Sequence, residues 1–503
     1  MKNWKKITAA LLAGTMMLAA TACGSGSSGT QSSTGAQSQS VGDTEAAAEA
    51  ENKEIKSVTM WLPTPYDMPL LPQVNEKINE ISEERYGIHY DITFINFGNY
   101  STQLNLALTS DEVDICEFFN MYDYYKNGQI KDLTDYYDAS SDEFKAVWDD
   151  MYMDNMKIDG RIYAIPHISD FGHWLSLNLD QEVADKYGIT SEQELTMDEV
   201  SDLLDKIHED FPDRYTLGAG GTTTLITGFY TWDSMNDNIG VLPNKGQDTT
   251  VESLFDNKDY IDFCKRAEEW YQKGYIMPDI LSNTQAWAGM LANHQIASVF
   301  DTYGVNFVDG AVRTRIKEVG HWTEGMIIGQ STWGVNANSK DPETAFYALS
   351  LFYTDKDMAT YLNNGIEGEN YIKNEDGTIS YIDGKSAADS GYGAPSLYWV
   401  IPGAQLSQPL DVNGPTFYPD LIAFNENSEF SKINGFSFDP SAVIDEYTAC
   451  IAVMDKYRNP LMSGAVDVDA TLEQARAEMK AAGEDAVIAE KQRQIDEFLA
   501  SRQ

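Results

Sequence analysis

The sequence predicts an α/β protein whose first sheet is parallel and carries helices on its faces. Three observations predict it. Beyond about residue 52, strand-like and helix-like segments alternate in the order β-α-β-α-β. Turn residues punctuate that order at Pro63-Thr64-Pro65, Gly87 and Asp159-Gly160. Hydrophobic residues make up 42% of the chain and aromatics 12%, enough for real cores. A body of about 450 residues has room for two lobes or three smaller domains.

Ile55 to Leu62 reads as a first strand, SVTMWL, closed by the two prolines. A helix follows over Leu71 to Tyr86, where Val74, Ile78, Ile81 and Tyr86 repeat at near-helical spacing before Gly87. Tyr90 to Phe94 alternates as a second strand. Asn99 to Ser110 reads as a second helix with Leu104 and Leu108 among its apolar positions, and Asp114 to Phe119 as a third strand. In parallel α/β sheets ligands bind beyond the carboxyl ends of the strands. Those ends here are Trp61 to Tyr66, Asn96 to Asn99 and Phe119 to Tyr122, all aromatic or amide-rich. Further strands are expected at Arg161 to Pro166, Trp174 to Leu179 and Ile296 to Phe300. Helices are expected at Asp198 to Asp210, Tyr260 to Gly274 and Pro342 to Leu362. Asn374 to Thr378 reads as a hairpin turn, and no internal repeat is evident.

The N-terminus sets a compartment. Lys2, Lys5 and Lys6 precede an apolar run from Ile7 to Ala20, shorter than the roughly 20 residues a spanning helix needs. Ala20-Thr21-Ala22-Cys23 resembles a bacterial lipobox, with Ala20 where leucine is favoured and Leu18 two residues earlier. Lipid on Cys23 would tether the chain outside the cytoplasmic membrane. From Gly24 to about Asn52 the chain is rich in Gly, Ser, Thr, Gln, Ala and Glu without apolar period, as a flexible leash requires. The formal charge of −44 argues against nucleic acid and against an anionic ligand drawn by long-range field; a neutral or cationic ligand is easier to reconcile. Cys116, Cys264 and Cys450 are widely spaced. Buried free thiols are the default, with one disulfide and one leftover as the alternative.

Catalytic patterns are missing. The sequence has no G-x-S-x-G, H-E-x-x-H or P-loop, and no calcium loop is evident. His167 and His173 are poorly spaced for a metal. The expectation is no enzyme, no cofactor and no metal. An anchored glycan-processing enzyme and a binder of peptides or other non-sugar solutes stand as alternatives.

DGRIYAIPHISD (Asp159 to Asp170), ASVFDTYG (Ala297 to Gly304) and GQSTWGVNANSKDPETA (Gly329 to Ala345), in this order after the opening β-α-β-α-β, resemble the extracellular solute-binding proteins of ABC importers, family 1, which include maltose-binding protein. NNGIEGENY (Asn363 to Tyr371), GFSFDP (Gly435 to Pro440) and IAEKQRQIDEFL (Ile488 to Leu499) resemble a Gram-positive lipoprotein subfamily with an extra C-terminal domain of unknown function. The resemblance covers nearly all of the body. It implies a periplasmic-binding-protein-like fold of two α/β lobes joined by crossing strands (type II), with a helical C-terminal addition. It implies capture of a mono- or oligosaccharide by hinge closure and delivery to membrane permease subunits, by a monomer. The expected domains are a signal peptide over 1–22, the lipidated Cys and linker over 23–55, lobe 1 over 56–165 plus 300–330, lobe 2 over 166–299 plus 331–365, and a C-terminal module over 366–503.

Sugar hydroxyls want planar polar partners and sugar C–H faces stack on flat rings. That mixture nominates Trp61 and Tyr66 at the first strand end and Asn120 and Tyr122 after the third. His167 and Asp170 follow the first crossing, and Asp301 and Tyr303 the second. Trp232 with Asp233, Trp333, Trp399 and Glu367 with Glu369 complete the set. Each has a structural alternative: packing a helix on the sheet for Trp61, a satisfied structural histidine for His167, a turn or cap for Asn120, Asp170 and Asp301.

Overall fold

The computed structural model describes residues 54–110, 112–220, 223–226, 230–303 and 311–502; the expected signal peptide, Cys23 and the expected leash lie outside them. The first strand, β1 (Lys56–Thr64), buries Val58, Met60 and Leu62 by simple alternation. It pairs in parallel with β2 (Ile88–Asn96) and β3 (Ile115–Phe119). Between them α1 (Leu71–Tyr86) buries Val74 and Ile78. It ends where Gly87 turns left-handed at φ 70° and gives its N–H to the last carbonyls, a geometry that favours glycine. The second helix, α2 (Phe97–Ala107), is capped by Asn96, whose side chain accepts from the Gly98 N–H. Thus the predicted opening order is present, with α1 matching its predicted bounds.

Two sequence-based elements differ. The strand expected over Arg161 to Pro166 is instead a short hairpin, Arg161–Ile162 against Lys157–Ile158, followed by a lone bridge from Ile165 to Trp333. Pro166 has no N–H to extend a ladder. The helix expected over Pro342 to Leu362 breaks in two at Asp355. That residue is extended, and its carboxylate accepts the N–H groups of Asp357 and Met358 to start a new helix.

Lobe membership also differs from expectation. The strand Ser331–Val335 runs antiparallel to β3 over five residue pairs, giving lobe 1 the order Ser331–Val335, β3, β1, β2. The helices Pro342–Thr354 and Lys356–Asn364 then bury Phe346, Leu349, Phe352 and Leu362 in the lobe 1 core. Residues 331–365 therefore belong to lobe 1. Residues 300–330 largely belong to lobe 2, because its sheet contains β4 (Trp174–Asp180), β5 (Glu194–Leu195), β6 (Tyr215–Leu217), β7 (Ile296–Tyr303) and β8 (Ala311–Ile316) in the order β5-β8-β4-β7-β6. Strand periodicity says that a segment pairs; it does not say with which sheet. The amphipathic helices Met197–Asp210 and Lys258–Gln272 cover this sheet.

The C-terminal stretch is divided rather than a single module. Tyr392, Leu397, Phe417 and Leu421 pack into the lobe 1 core. The chain then crosses as Glu429–Phe430, parallel to Trp322–Thr323, which in turn bridges to His173. Past the crossing, helices Ile444–Ser463, Val468–Ala482 and Glu484–Ser501 bury Cys450, Leu461, Met479 and Ile495 in the lobe 2 core. Lys491, fully buried, ties the last helix to Asp237 at 2.6 Å, and Tyr447 donates to the same carboxylate. Among the described residues the chain thus passes between the lobes three times, near 165–173, 321–330 and 428–433. Cys116, Cys264 and Cys450 are all free and buried. No described helix is long and apolar enough to cross a membrane.

Candidate binding cleft between the lobes

The pairings decide which sheet edges meet. Thr64 lies opposite Asn96, and Ser331 opposite Phe119, so the carboxyl ends of β1, β2 and β3 share one edge of the lobe 1 sheet. In lobe 2, Trp174 lies opposite Tyr303 and Ser176 opposite Arg315, so these residues share one edge too. The first crossing leaves the lobe 1 edge beside Trp333 and enters lobe 2 at Trp174. Both edges therefore abut the crossing segments, and any solute held between them touches both lobes.

The lobe 1 edge is lined with rings. Trp399 stacks on Phe97 with centroids 5.6 Å apart and planes 5° from parallel, and Phe97 contacts Phe119 at 6.1 Å. Tyr66 is half-buried and accepts from the Ser396 hydroxyl at 3.3 Å. Asn120 sits left-handed at φ 58°, gives its backbone N–H to Gln330 O at 2.8 Å, and donates its side-chain amide to Asp123 at 2.7 Å. Tyr122, half-buried, lies under the Lys126 ammonium at 5.4 Å, and burial pushes its phenol up.

A cavity of about 970 Å³ opens between Tyr122, Lys126, Lys157 and Asp159 of lobe 1 and Phe436, Asp439, Arg493, Phe498 and Arg502 of the C-terminal stretch. A smaller inner space of about 30 Å³ continues it towards the second crossing, lined by Asn120, Tyr122, Met326, Gln330 and Phe436. Across this gap Lys126 Nζ stands 3.8 Å from Asp439, and the Asn434 amide reaches Met151 O at 3.5 Å. A separate cavity of about 330 Å³ lies between the lobe 2 edge and the helix Phe417–Glu426. There Arg315 covers Trp174 at 4.7 Å, Trp174 stacks on His321 at 5.2 Å, and His321 meets Phe424 at 4.1 Å. Burial, with Arg315 nearby, holds the His321 imidazole down at about 4.

Other nominated residues lie elsewhere. Trp333 is fully buried and its indole donates to Val400 O at 2.8 Å. Trp232 packs in the lobe 2 core and donates to Asn238 at 3.2 Å; Asp233 beside it accepts the Gly325 N–H at 2.8 Å. These three serve the cores and the second crossing. His167 is buried 3.0 Å from the Ser331 hydroxyl, which donates to the buried Glu117; burial pulls its imidazole down to about 4. Glu367 is exposed, paired with Lys373 at 2.8 Å beside the hairpin Tyr371–Lys373 and Ile379–Tyr381, and Glu369 is exposed nearby. Trp61 and Asp170 are half-buried at the first strand and first crossing. Asp301, on β7, is half-buried with its carboxyl raised to about 6, chiefly by burial and against the pull of Arg313. The side chain of Tyr303 lies outside the described residues.

The sequence reading did not nominate Phe97 on the lobe 1 edge, Trp174 and Arg315 on the lobe 2 edge, or Phe436 and Arg493 in the gap. Trp174 opens a predicted strand, and only knowledge that this strand runs antiparallel would have put its first residue on the cleft edge. Asp180, Glu182 and His294 bring ligand atoms within 4.8 Å of one another, but Arg214 already pairs with Asp180 at 3.3 Å and Glu182 at 2.5 Å. The guanidinium occupies the place a cation would take.

Comparison with known proteins fits this geometry. Residues 432–500 match a family described as a domain of unknown function, DUF3502. Over 521 aligned positions, covering all of both chains, the sequence is 23% identical to a carbohydrate ABC transporter substrate-binding protein of Streptococcus pneumoniae. The N-glycan transport solute-binding protein NgtS of S. pneumoniae superposes with a TM-score of 0.78 at 20% identity, over 89% of this chain and 100% of that one. The same protein in complex with Man5GlcNAc gives 0.67 over 89% and 99%. A human-milk-oligosaccharide-binding solute-binding protein of Bifidobacterium longum infantis gives 0.58 at 13% identity, over 89% and 99%. The fold is the two-lobed, type II solute-binding fold.

Proposed function

We propose that this chain, a two-lobed solute-binding protein carrying a C-terminal DUF3502 segment, is the exported substrate-binding lipoprotein of an ABC importer that captures a mono- or oligosaccharide. The observation that carries the reading is the gap lined from both lobes across three crossing segments. Ligand contacts made with both walls favour the closed form, and a permease that recognises that form receives the solute. No bond is made or broken.

The chemistry of the walls supports a sugar. Tyr122 and Phe436 in the gap, and Trp399 on Phe97 with Tyr66 on the lobe 1 edge, offer flat rings for C–H faces. Asn120, Asp159 and Arg493 offer planar groups for paired hydroxyls. The relatives support it as well, since their names describe carbohydrate and N-glycan transport. Among the nominated residues we assign ligand contact to Tyr66, Asn120, Tyr122 and Trp399. Lipid on Cys23 and the leash behind it would keep the binder close to its permease, raising its effective concentration there.

Titration of tryptophan fluorescence against a panel of mono- and oligosaccharides, with small-angle scattering on the same samples, tests the reading. Saturable quenching together with a smaller radius of gyration is expected. A flat response to every sugar would remove the carbohydrate assignment.

A further inference from the structure

The DUF3502 segment has a place in the geometry that suggests a task. Its start, Gly435 to Asp439, leaves the third crossing and lies directly against lobe 1. Gly435 is left-handed at φ 84°, and a Cβ there would stand 3.2 Å from Asp154 O and 3.0 Å from the Arg502 guanidinium. Its last helix, Glu484–Ser501, forms the far wall of the 970 Å³ gap while its buried face is fixed to lobe 2 through Lys491 and Asp237. The near wall belongs to lobe 1. The two walls therefore ride on different lobes and separate or approach with the hinge.

The gap is built from groups that suit an uncharged, hydroxyl-rich ligand. Tyr122 and Phe436 present ring surface from opposite sides. Arg493 is a held fork: Glu490 accepts two of its N–H groups at 2.6 and 2.9 Å, and Glu497 a third at 2.5 Å. Gln494 adds an amide one residue on. Cations on the walls are answered by carboxylates, as Lys126 is by Asp439, so the gap has no dominant sign to reward a charged ligand. Its volume is at the upper end for small-molecule sites, more than one ring demands.

We propose that the DUF3502 segment is the distal wall of an extended binding cleft, and that its last helix sets how long an oligosaccharide the protein holds. The inference rests on the sugar-binding reading above and deepens it. A short ligand occupies the part of the gap nearest Tyr122; a longer one also engages Lys126 and Arg493, and so draws the helix towards lobe 1.

Isothermal titration of the full chain with Man1GlcNAc and Man5GlcNAc tests it. Arg493→Ala is expected to weaken the longer ligand about tenfold more than the shorter, the loss of a charged hydrogen-bond donor. Lys126→Ala reads the same gap from the opposite wall, on an element independent of the C-terminal helix, and should give the same selective loss. Equal effects on both ligands in both variants, or no effect, would overturn the proposal while leaving sugar binding in place. Failure of the unsubstituted protein to bind these two glycans and every sugar of the panel would overturn both.

Discussion

Glu324 is a residue whose burial carries a pH signature. It lies on the second crossing, accepts the Ser234 N–H at 3.4 Å and neighbours the buried Asp233, and its carboxyl is pushed up to about 8 by burial first and by Asp233 second. A carboxyl raised above its unfolded value is protonated in the native state while the unfolded chain has already ionised. Native stability therefore falls as pH rises from about 4.5 to about 8. Glu324→Gln removes this loss. The variant is expected to gain on the parent through that window, by a few kcal/mol near pH 8, as read by urea unfolding at stepped pH; a gain independent of pH would refute the cause. Trp399 gives the complementary test of the cleft. Trp399→Ala should cost about three- to tenfold in sugar affinity through lost ring contact, measured by fluorescence titration. Single residues were also the hardest to read in the sequence. Trp333 and Trp399 carry the same side chain with opposite fates. Trp333, on the strand Ser331–Val335, is sealed against Val400 O, while Trp399, in the turn after Ala394–Leu397, stacks half-buried on Phe97; the difference lies in the element each belongs to.

Elements were more legible. The helix Leu71–Tyr86 is readable because its apolar spacing, its proline near the start and its terminal glycine agree. The opening three strands were legible for the same reason: periodicity and turn residues act locally. Partners of Ser331–Val335 and of the three C-terminal helices were not, because pairing and docking are chosen by surfaces far away in sequence. The C-terminal helices also depend on one unusual contact. Lys491 is wholly buried against Asp237, and truncating one member of such a pair strands the other without solvent. Lys491→Ala is expected to destabilise the protein by about 3–5 kcal/mol. Unfolding monitored by circular dichroism would register it; a change below 1 kcal/mol would mean that Asp237 finds water. If the last helix detaches, the far wall of the gap goes with it.

At the scale of the whole molecule, each lobe is assembled from distant stretches. Lys56 at the start of the first strand bonds Asp341 across 285 residues, and Ser331 bonds Glu117 across 214. Helix Lys258–Gln272 waits likewise for the helix Ile444–Ser463 to share its core. High contact order of this kind slows folding, since long loops must close before native contacts repay them. A chain emerging residue by residue has no early fragment able to finish a lobe. On the proposed export, that lateness is an advantage: the polypeptide stays threadable until its final third is made, and folding begins where the protein is to work.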